Sequence, residues 1–181
     1  MKNHHLSSTL PRVGEPEPWV TRFSSLIPKG QILDLACGRG RHGRYFLEQG
    51  YPVTFLDNDL SGVTDLESDR RALLVEHDLE NGSPFPFRPA MFSGIIGVNY
   101  LHRPLFPDLL KALELNGVLI YKTFSQGNEQ FGKPSNPDFL LKNRELIRIL
   151  GQCLKIVDFE QGKESNPERI TQAICAIKEH P

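Results

Sequence analysis

Short apolar runs, separated by glycine, proline and polar residues, divide the chain into segments that alternate between strand-like and helix-like patterns. Unbroken apolar runs of this length predict buried strands, which we place at residues 31–36, 52–57, 72–78, 92–99 and 117–124. Helical spacing of apolar residues predicts helices between them, at 18–30, 44–50, 60–68, 104–116 and 141–150. Two final strands, at 154–162 and 170–179, flank a polar stretch and predict an antiparallel hairpin.

This alternation predicts an α/β fold. Strands that alternate with helices form a parallel, twisted sheet covered on both faces. We therefore expect a Rossmann-like, doubly wound, mostly parallel seven-stranded sheet with a C-terminal antiparallel hairpin strand. Residues 17–181 are predicted to form this single domain, preceded by a loosely held polar arm over residues 1–16. Residues 125–139 have no periodicity and are long for a connection, which makes them a candidate functional loop.

Composition narrows the classes of function. The 181 residues carry a net charge of −1 and an isoelectric point of about 6.6, which argues against nucleic acid or an anionic membrane as partner. Neither a signal peptide nor a membrane-spanning segment is expected, which predicts a cytoplasmic protein. Cys37, Cys153 and Cys175 are widely spaced, so we expect buried free thiols and no metal site. None of these patterns predicts an oligomeric state.

The strongest local signal is a glycine loop between the first strand and a helix. Gly38, Gly40 and Gly43 satisfy the G-x-G-x-x-G pattern, and Asp57 follows about 20 residues on, as in dinucleotide-binding folds. Asp34 argues against a dinucleotide, because a carboxylate beside the loop would repel a pyrophosphate and attract a cationic amino group. The chain is also short for an oxidoreductase that needs a separate substrate domain.

S-adenosylmethionine is the alternative ligand of such a loop. Asp34, Asp57 and Asp78 fall at the ends of the first three predicted strands, and open α/β sheets bind ligands at those ends. The amino group, the ribose diol and the adenine of S-adenosylmethionine each require a polar partner. These partners would lie at the ends of the first, second and third strands, respectively. The acids therefore favour this ligand.

The motifs also carry a family resemblance. The segment LDLACGRGRH resembles motif I of class I S-adenosylmethionine-dependent methyltransferases, D-x-[GA]-x-G-x-G, with Asp34, Ala36, Gly38 and Gly40 in the matching positions. The segments VTFLDNDLSGV, VEHDLENGSPFPF, GIIGVNYLHRPL and GVLIYKTF resemble the motifs that follow. Arg41 departs from the pattern, since many members carry a small glycine there. The C-terminal part is similar, more loosely, to tellurite-resistance-type small methyltransferases.

The resemblance and the strand-end positions together imply a set of site residues. Cofactor contacts are expected from Asp34, Ala36, Gly38, Arg39, Gly40, His42, Asp57, Asn58, Asp78, Leu79 and Asn99. Tyr100 and His102 follow the central strand and are the candidate catalytic residues. His102 is the first candidate for a general base, because imidazole side chains titrate near neutral pH. Acceptor contacts are expected from Arg103, Thr123, Asn128, Phe131 and Asn136.

The methyl acceptor stays open at this point. A general base would assist an alcohol or an amine, whereas a thiolate, selenide or tellurite-like acceptor would need none. We expect a small molecule rather than RNA, because the isoelectric point is near neutral and no N-P-P-Y-type tetrapeptide follows the fourth strand. Two alternatives to a methyltransferase remain: a nicotinamide-dinucleotide oxidoreductase, and a non-catalytic, cofactor-binding partner subunit.

Overall fold

The predicted strands form one sheet. The computed structural model describes residues 13–179, and its seven strands follow the order β3-β2-β1-β4-β5-β7-β6. The strands are β1 (Ile32–Leu35), β2 (Val53–Asp57), β3 (Ala72–Glu76), β4 (Phe92–Val98), β5 (Leu113–Phe124), β6 (Lys155–Ser165) and β7 (Glu168–Ile177). Strands β1 to β5 pair in parallel, and β7 runs antiparallel between β5 and β6. The predicted mostly parallel sheet with an antiparallel C-terminal strand is confirmed.

Helices and loops cover both faces of the sheet, which explains why its central strands are apolar throughout. Every residue of β1 and β4 is buried. Alternate residues of β5 enter two separate cores: Leu119 and Tyr121 pack on one face, and Val118 and Ile120 pack on the other. The carboxyl ends of the parallel strands therefore meet at one edge of a rigid sheet.

Most of the helices are shorter than predicted, and the second begins three residues earlier than predicted. They are α1 (Pro18–Phe23), α2 (Arg41–Glu48), α3 (Phe106–Ala112) and α4 (Glu145–Leu150), and residues 60–68 form only a 3-10 turn over Thr64–Leu66. Helix α3 ends at Ala112 because Leu113 pairs with Phe92 and begins β5. Helix α4 begins late because the main chain of Leu141 is bonded to Phe124 instead. Tertiary pairing thus overrides helical spacing at both places.

The C-terminal hairpin corrects a second prediction. Its strands continue through the stretch predicted as a polar linker, so that only Asn166 and Pro167 separate them. The charged residues of that stretch pair across the two strands: Lys163 Nζ lies 2.7 Å from Glu168 Oε1, and Arg169 Nη2 lies 2.6 Å from Glu164 Oε2. Cross-strand ion pairs allow polar residues to stay within a ladder near the sheet edge.

The remaining expectations concern the three cysteines, membrane-spanning and metal-binding segments, and the N-terminal arm. Cys37 and Cys175 are buried free thiols, but Cys153 is exposed, because it lies in the turn that follows α4. Over residues 13–179, no helix is long and apolar enough to cross a membrane, and no group of three or more potential metal-ligating side chains occurs. Most of the predicted N-terminal arm, residues 1–12, lies outside the described residues.

Candidate functional site

The glycine loop follows β1 and curls through three left-handed residues. The φ angles are 50° at Ala36, 54° at Gly38 and 69° at Gly40. Glycine adopts this conformation freely, but at Ala36 it costs on the order of 1 kcal/mol. A Cβ at Gly38 would meet no atom within 4 Å, so the main chain borders open space there. The loop can therefore lie directly against a ligand.

Asp57, the last residue of β2, fixes the loop from the side. Its Oδ2 accepts a hydrogen bond from Gly38 N at 2.8 Å, and its Oδ1 accepts one from Asp59 N at 3.2 Å. A carboxylate oxygen accepts more than one hydrogen bond. Asp57 therefore both supports the loop and keeps acceptor capacity toward the adjoining space.

That space is a cavity of about 380 Å³ at the carboxyl ends of β1, β2 and β3, which we call the strand-end cavity. It is lined by Ala36, Asp57, Asn58, His77, Asp78, Leu79, Glu80 and Tyr100. Two buried polar atoms of its lining, His77 Nε2 and Tyr100 Oη, have no hydrogen-bond partner among the described residues. Because unpartnered buried polar atoms are costly, both are candidates to bond a ligand.

A second cavity, of about 190 Å³, adjoins the first and shares Glu80 and Tyr100 with it. We call it the aromatic cavity; it is lined by Glu80, Asn99, Tyr100, Leu101, Thr123, Phe124, Pro134 and Phe139. Tyr121 Oη donates to the main-chain oxygen of Tyr100 at 2.8 Å and fixes the segment after β4. Burial, and then the charge of Glu80 and its contact with the Tyr100 hydroxyl, raise the pKa of that hydroxyl well above its usual value. Tyr100 is therefore protonated at neutral pH.

Asp34 lies beneath the loop rather than in either cavity. Its Oδ2 accepts a hydrogen bond from Gly43 N at 2.8 Å, and its Oδ1 lies 3.9 Å from His42 Nδ1. Burial raises the pKa of Asp34 to about 7. Burial, and then the charge of Arg41, lower the pKa of His42 to about 4. The pair joins the start of α2 to β1, and low polarity favours the uncharged form of each group.

The structure brings together part of the predicted site. Five predicted cofactor residues and Tyr100 line the strand-end cavity, and Asn99, Tyr100 and Thr123 line the aromatic cavity. Gly38 and Gly40 belong to the adjoining loop. Arg39 lies elsewhere, in a separate cavity with Val13 and Arg44. His102 is partly buried and lines neither cavity, although its neighbour Leu101 does.

The predicted acceptor residues outside the cavities are occupied by other contacts. Arg103 donates to both oxygens of Glu145, at 2.7 and 3.0 Å, and to two main-chain carbonyls of the 125–142 segment. The amide of Asn128 bonds Pro134 O and Ile170 N. Phe131 lies under Lys163 Nζ, and Asn136 Oδ1 accepts from Asp138 N, so these side chains hold the loop in place.

Sequence reasoning missed several residues of the two cavities: His77, Glu80, Phe124, Pro134 and Phe139. A sequence signal existed for the first two, since they stand one position before and two positions after the predicted Asp78. Phe139 and Pro134 are apolar residues in an otherwise polar loop, a weaker signal for a site wall.

Known proteins resemble the chain in structure rather than in sequence. No protein-family model and no curated protein sequence matches it. TehB from Haemophilus influenzae superimposes with a TM-score of 0.72 at 16% identity, over 90% of this chain; the chain spans 62% of the TehB chain. A SAM-dependent methyltransferase from Methanosarcina mazei matches with a TM-score of 0.69 at 15% identity, over 91% of this chain and 99% of its own.

A third neighbour is the 1,6-didemethyltoxoflavin-N1-methyltransferase of Burkholderia thailandensis, solved with 1,6-didemethyltoxoflavin and S-adenosylhomocysteine bound. It matches with a TM-score of 0.67 at 19% identity, over 90% of this chain and 76% of its own. At identities this low, the superpositions are informative about the fold alone. The chain thus has the fold of the class I S-adenosylmethionine-dependent methyltransferases.

Proposed function

We propose that the protein is an S-adenosylmethionine-dependent methyltransferase that acts on a small molecule. The observation that carries the proposal is the strand-end cavity, where predicted cofactor residues from three consecutive strand ends meet beside the glycine loop. Ligands of open α/β sheets bind at this edge. The structural neighbours, which include a methyltransferase of the small molecule 1,6-didemethyltoxoflavin, support the same activity.

The residues of the cavity fit the parts of S-adenosylmethionine. Asp57 keeps acceptor capacity for the ribose hydroxyls, and Leu79 offers an apolar wall for the adenine. Asp78, whose Oδ1 already accepts from Glu80 N, would accept from the adenine amino group. The open space at Gly38 leaves room for the methionine part against the loop. Asn58 lines the strand-end cavity, and Asn99 lines the aromatic cavity.

Charge favours this ligand over a dinucleotide. Asp57, Asp78 and Glu80 line the strand-end cavity, and neither Lys nor Arg is among the residues that line it. A pyrophosphate would bring two further negative charges to these carboxylates, whereas a sulfonium and an ammonium bring positive ones. The G-x-G-x-x-G pattern is therefore better explained by S-adenosylmethionine than by a nicotinamide cofactor.

The chain's own contribution to catalysis is positioning. When bound, S-adenosylmethionine supplies a methyl group on a positively charged sulfur, which is already a good leaving group. Tyr100, which lines both cavities, and Thr123, which lines the aromatic cavity, would hold the acceptor in line with that methyl group. Holding two reactants in a reactive geometry is worth roughly 7–11 kcal/mol. Tyr100, protonated at neutral pH, would donate a hydrogen bond rather than accept a proton.

We propose His102 as the candidate general base for an alcohol or an amine acceptor. Its main-chain oxygen accepts from Leu105 N, which fixes the backbone beside the cavity-lining Leu101. If it is the base, His102→Gln lowers kcat by about 10²–10⁴-fold and leaves cofactor affinity unchanged. An unchanged kcat would remove it from the mechanism.

A thermal-shift titration with S-adenosylmethionine, S-adenosylhomocysteine and NADH tests the proposal. A ligand at 100 times its Kd adds about 2.7 kcal/mol to the free energy of unfolding. We expect the two sulfur ligands to raise Tm, NADH to leave it unchanged, and Asp57→Ala to abolish the shift. Asp59→Ala is the matched control, because Asp59 lies two residues away, and its side chain accepts from Ser61 N and lines neither cavity.

The other outcomes of this titration are equally informative. A shift with NADH alone would favour the oxidoreductase. Binding of S-adenosylmethionine without methyl transfer to any nitrogen, oxygen or sulfur acceptor in a broad panel would favour the non-catalytic partner subunit.

A further inference from the structure

We infer that the methyl acceptor is a small amine with an aromatic or apolar body, held as its ammonium by Glu80 in the aromatic cavity. This inference rests on the proposed function and specifies its substrate class. It chooses among the acceptors that the sequence left open, and it excludes oxyanions such as selenite and tellurite.

The lining of the aromatic cavity combines one carboxylate with aromatic and apolar side chains. Glu80 is the one residue with a formal charge among the eight that form its wall. Tyr100, Phe124 and Phe139 supply three aromatic side chains, and Leu101 and Pro134 are apolar. An aromatic wall with one carboxylate matches an ammonium group on an apolar body, since aromatic faces and carboxylates both attract cations.

The charged side chains that line the aromatic cavity and the adjoining strand-end cavity are acidic. The adjoining strand-end cavity adds Asp57 and Asp78 to Glu80, and no Lys or Arg lines either cavity. Arg103 is the cation predicted for this site, but it is paired with Glu145 and with main-chain carbonyls. An acceptor that carries a carboxylate, phosphate or oxyanion would therefore be repelled by these carboxylates, and no Lys or Arg side chain of either lining would compensate the repulsion.

The volume of the aromatic cavity favours a small acceptor. The aromatic cavity has a volume of about 190 Å³. Sites for drug-sized ligands occupy roughly 300–1,000 Å³. The volume of the cavity therefore matches a single ring with a short side chain. The ammonium would first lose a proton to the base of the proposed mechanism or to solvent. The free amine nitrogen would then form a bond to the methyl carbon as the bond between that carbon and sulfur breaks, and S-adenosylhomocysteine would leave.

Calorimetry with the protein saturated with S-adenosylhomocysteine tests the inference. The probes are benzylamine, benzyl alcohol and benzoate, which share a ring and differ in charge, together with selenite. We expect binding in the order benzylamine, benzyl alcohol, benzoate, with no heat from selenite. Because Glu80 is exposed, removal of its charge in Glu80→Gln should weaken benzylamine binding by about two- to fivefold and leave benzyl alcohol binding unchanged.

Two further variants keep the test decisive. Glu76→Gln removes a carboxylate from the exposed end of β3, outside both cavities, and should leave every affinity unchanged. Glu80→Lys should reverse the order, so that benzoate binds and benzylamine does not. Equal affinity for benzylamine and benzoate, or an order that Glu80→Lys does not change, would overturn the inference.

These measurements distinguish a failure of the proposed function from a failure of the proposed substrate class. Saturation with S-adenosylhomocysteine is measured first, and its failure contradicts the proposed function. If S-adenosylhomocysteine binds and the amine preference is absent, the function stands and the substrate class is wrong.

Discussion

At the scale of single residues, Asp34 makes a prediction about pH. Its pKa rises from 3.8 to about 7 in the folded chain, because burial disfavours the carboxylate. A folded state that binds the proton more tightly is stabilised below the lower pKa and loses that stability as pH rises toward the higher one. Asp34→Asn keeps an acceptor for Gly43 N and does not titrate.

The free energy of unfolding of Asp34→Asn, relative to the parent protein, should therefore increase between about pH 4 and pH 7. The increase is at most about 1.4 kcal/mol per pH unit. Urea unfolding at a series of pH values measures it, with the half-buried Asp108→Asn as control. A difference between Asp34→Asn and the parent that does not change with pH would show that Asp34 stays charged.

Gly38 separates the needs of folding from those of binding. An alanine there meets no neighbour but must keep a φ of 54°, so we expect a loss of about 1 kcal/mol in the free energy of unfolding. Its methyl group would enter the space proposed for the cofactor. Affinity for S-adenosylhomocysteine should therefore fall by at least about tenfold, or about 1.4 kcal/mol. Unchanged affinity in calorimetry would mean that the ligand lies elsewhere.

At the scale of elements, Gly43 determines how closely α2 approaches β2. A Cβ at this position would overlap the Phe55 ring and lie 3.0 Å from Asp34 Oδ2. Gly43→Ala should therefore destabilise the fold by about 1–3 kcal/mol, although alanine is the better helix former. Urea unfolding checks the loss, and Phe55→Leu in the same chain should recover part of it. Additive losses in the double variant would contradict this packing account.

A buried ion-pair cluster joins the chain before α1 to the C-terminal strands. Lys122 Nζ lies 2.5 Å from Glu17 and 2.9 Å from Glu164, and Arg169 also contacts both acids. Although burial opposes it, the hydrogen bond and charge of Lys122 lower the pKa of Glu17 below 4.5. The stability from this pairing is therefore present above about pH 4.5 and is lost as pH falls below it.

Glu17→Gln leaves Lys122 with less compensation and should cost about 3 kcal/mol at pH 7. The exposed pair of Glu160 with Arg22 provides the control, since surface pairs contribute little. Urea unfolding of Glu17→Gln and Glu160→Gln compares the two positions. Equal, small losses would show that the cluster does not hold the segment before α1.

The strands could be predicted from sequence and the helix ends could not, for a physical reason. Buried parallel strands such as β4 are apolar on both faces, and glycine or polar residues mark their ends. Residues 113–116 fit a helical pattern equally well, and tertiary contacts assign them to β5: Leu113 pairs with Phe92, and Asn116 N donates to Lys178 O. Charged residues 163–169 looked like a linker because their partners are on the opposite strand of the hairpin.

At the scale of the whole molecule, the candidate site follows the same division. The side that β1, β2 and β3 form could be predicted, because strand ends meet at one edge whatever the loops do. The acceptor side depends on how the 125–142 segment folds back, and Arg103 holds that segment rather than facing a cavity. His102 was chosen by its place after β4, which does not determine where a loop side chain points.

The most direct test of the account is a crystal structure with S-adenosylhomocysteine. We predict that the ribose hydroxyls contact Asp57, that the adenine lies against Leu79 beside Asp78, and that the sulfur faces Tyr100 and the aromatic cavity. A ligand bound outside the strand-end cavity, or one whose ribose makes no contact with Asp57, would contradict the account.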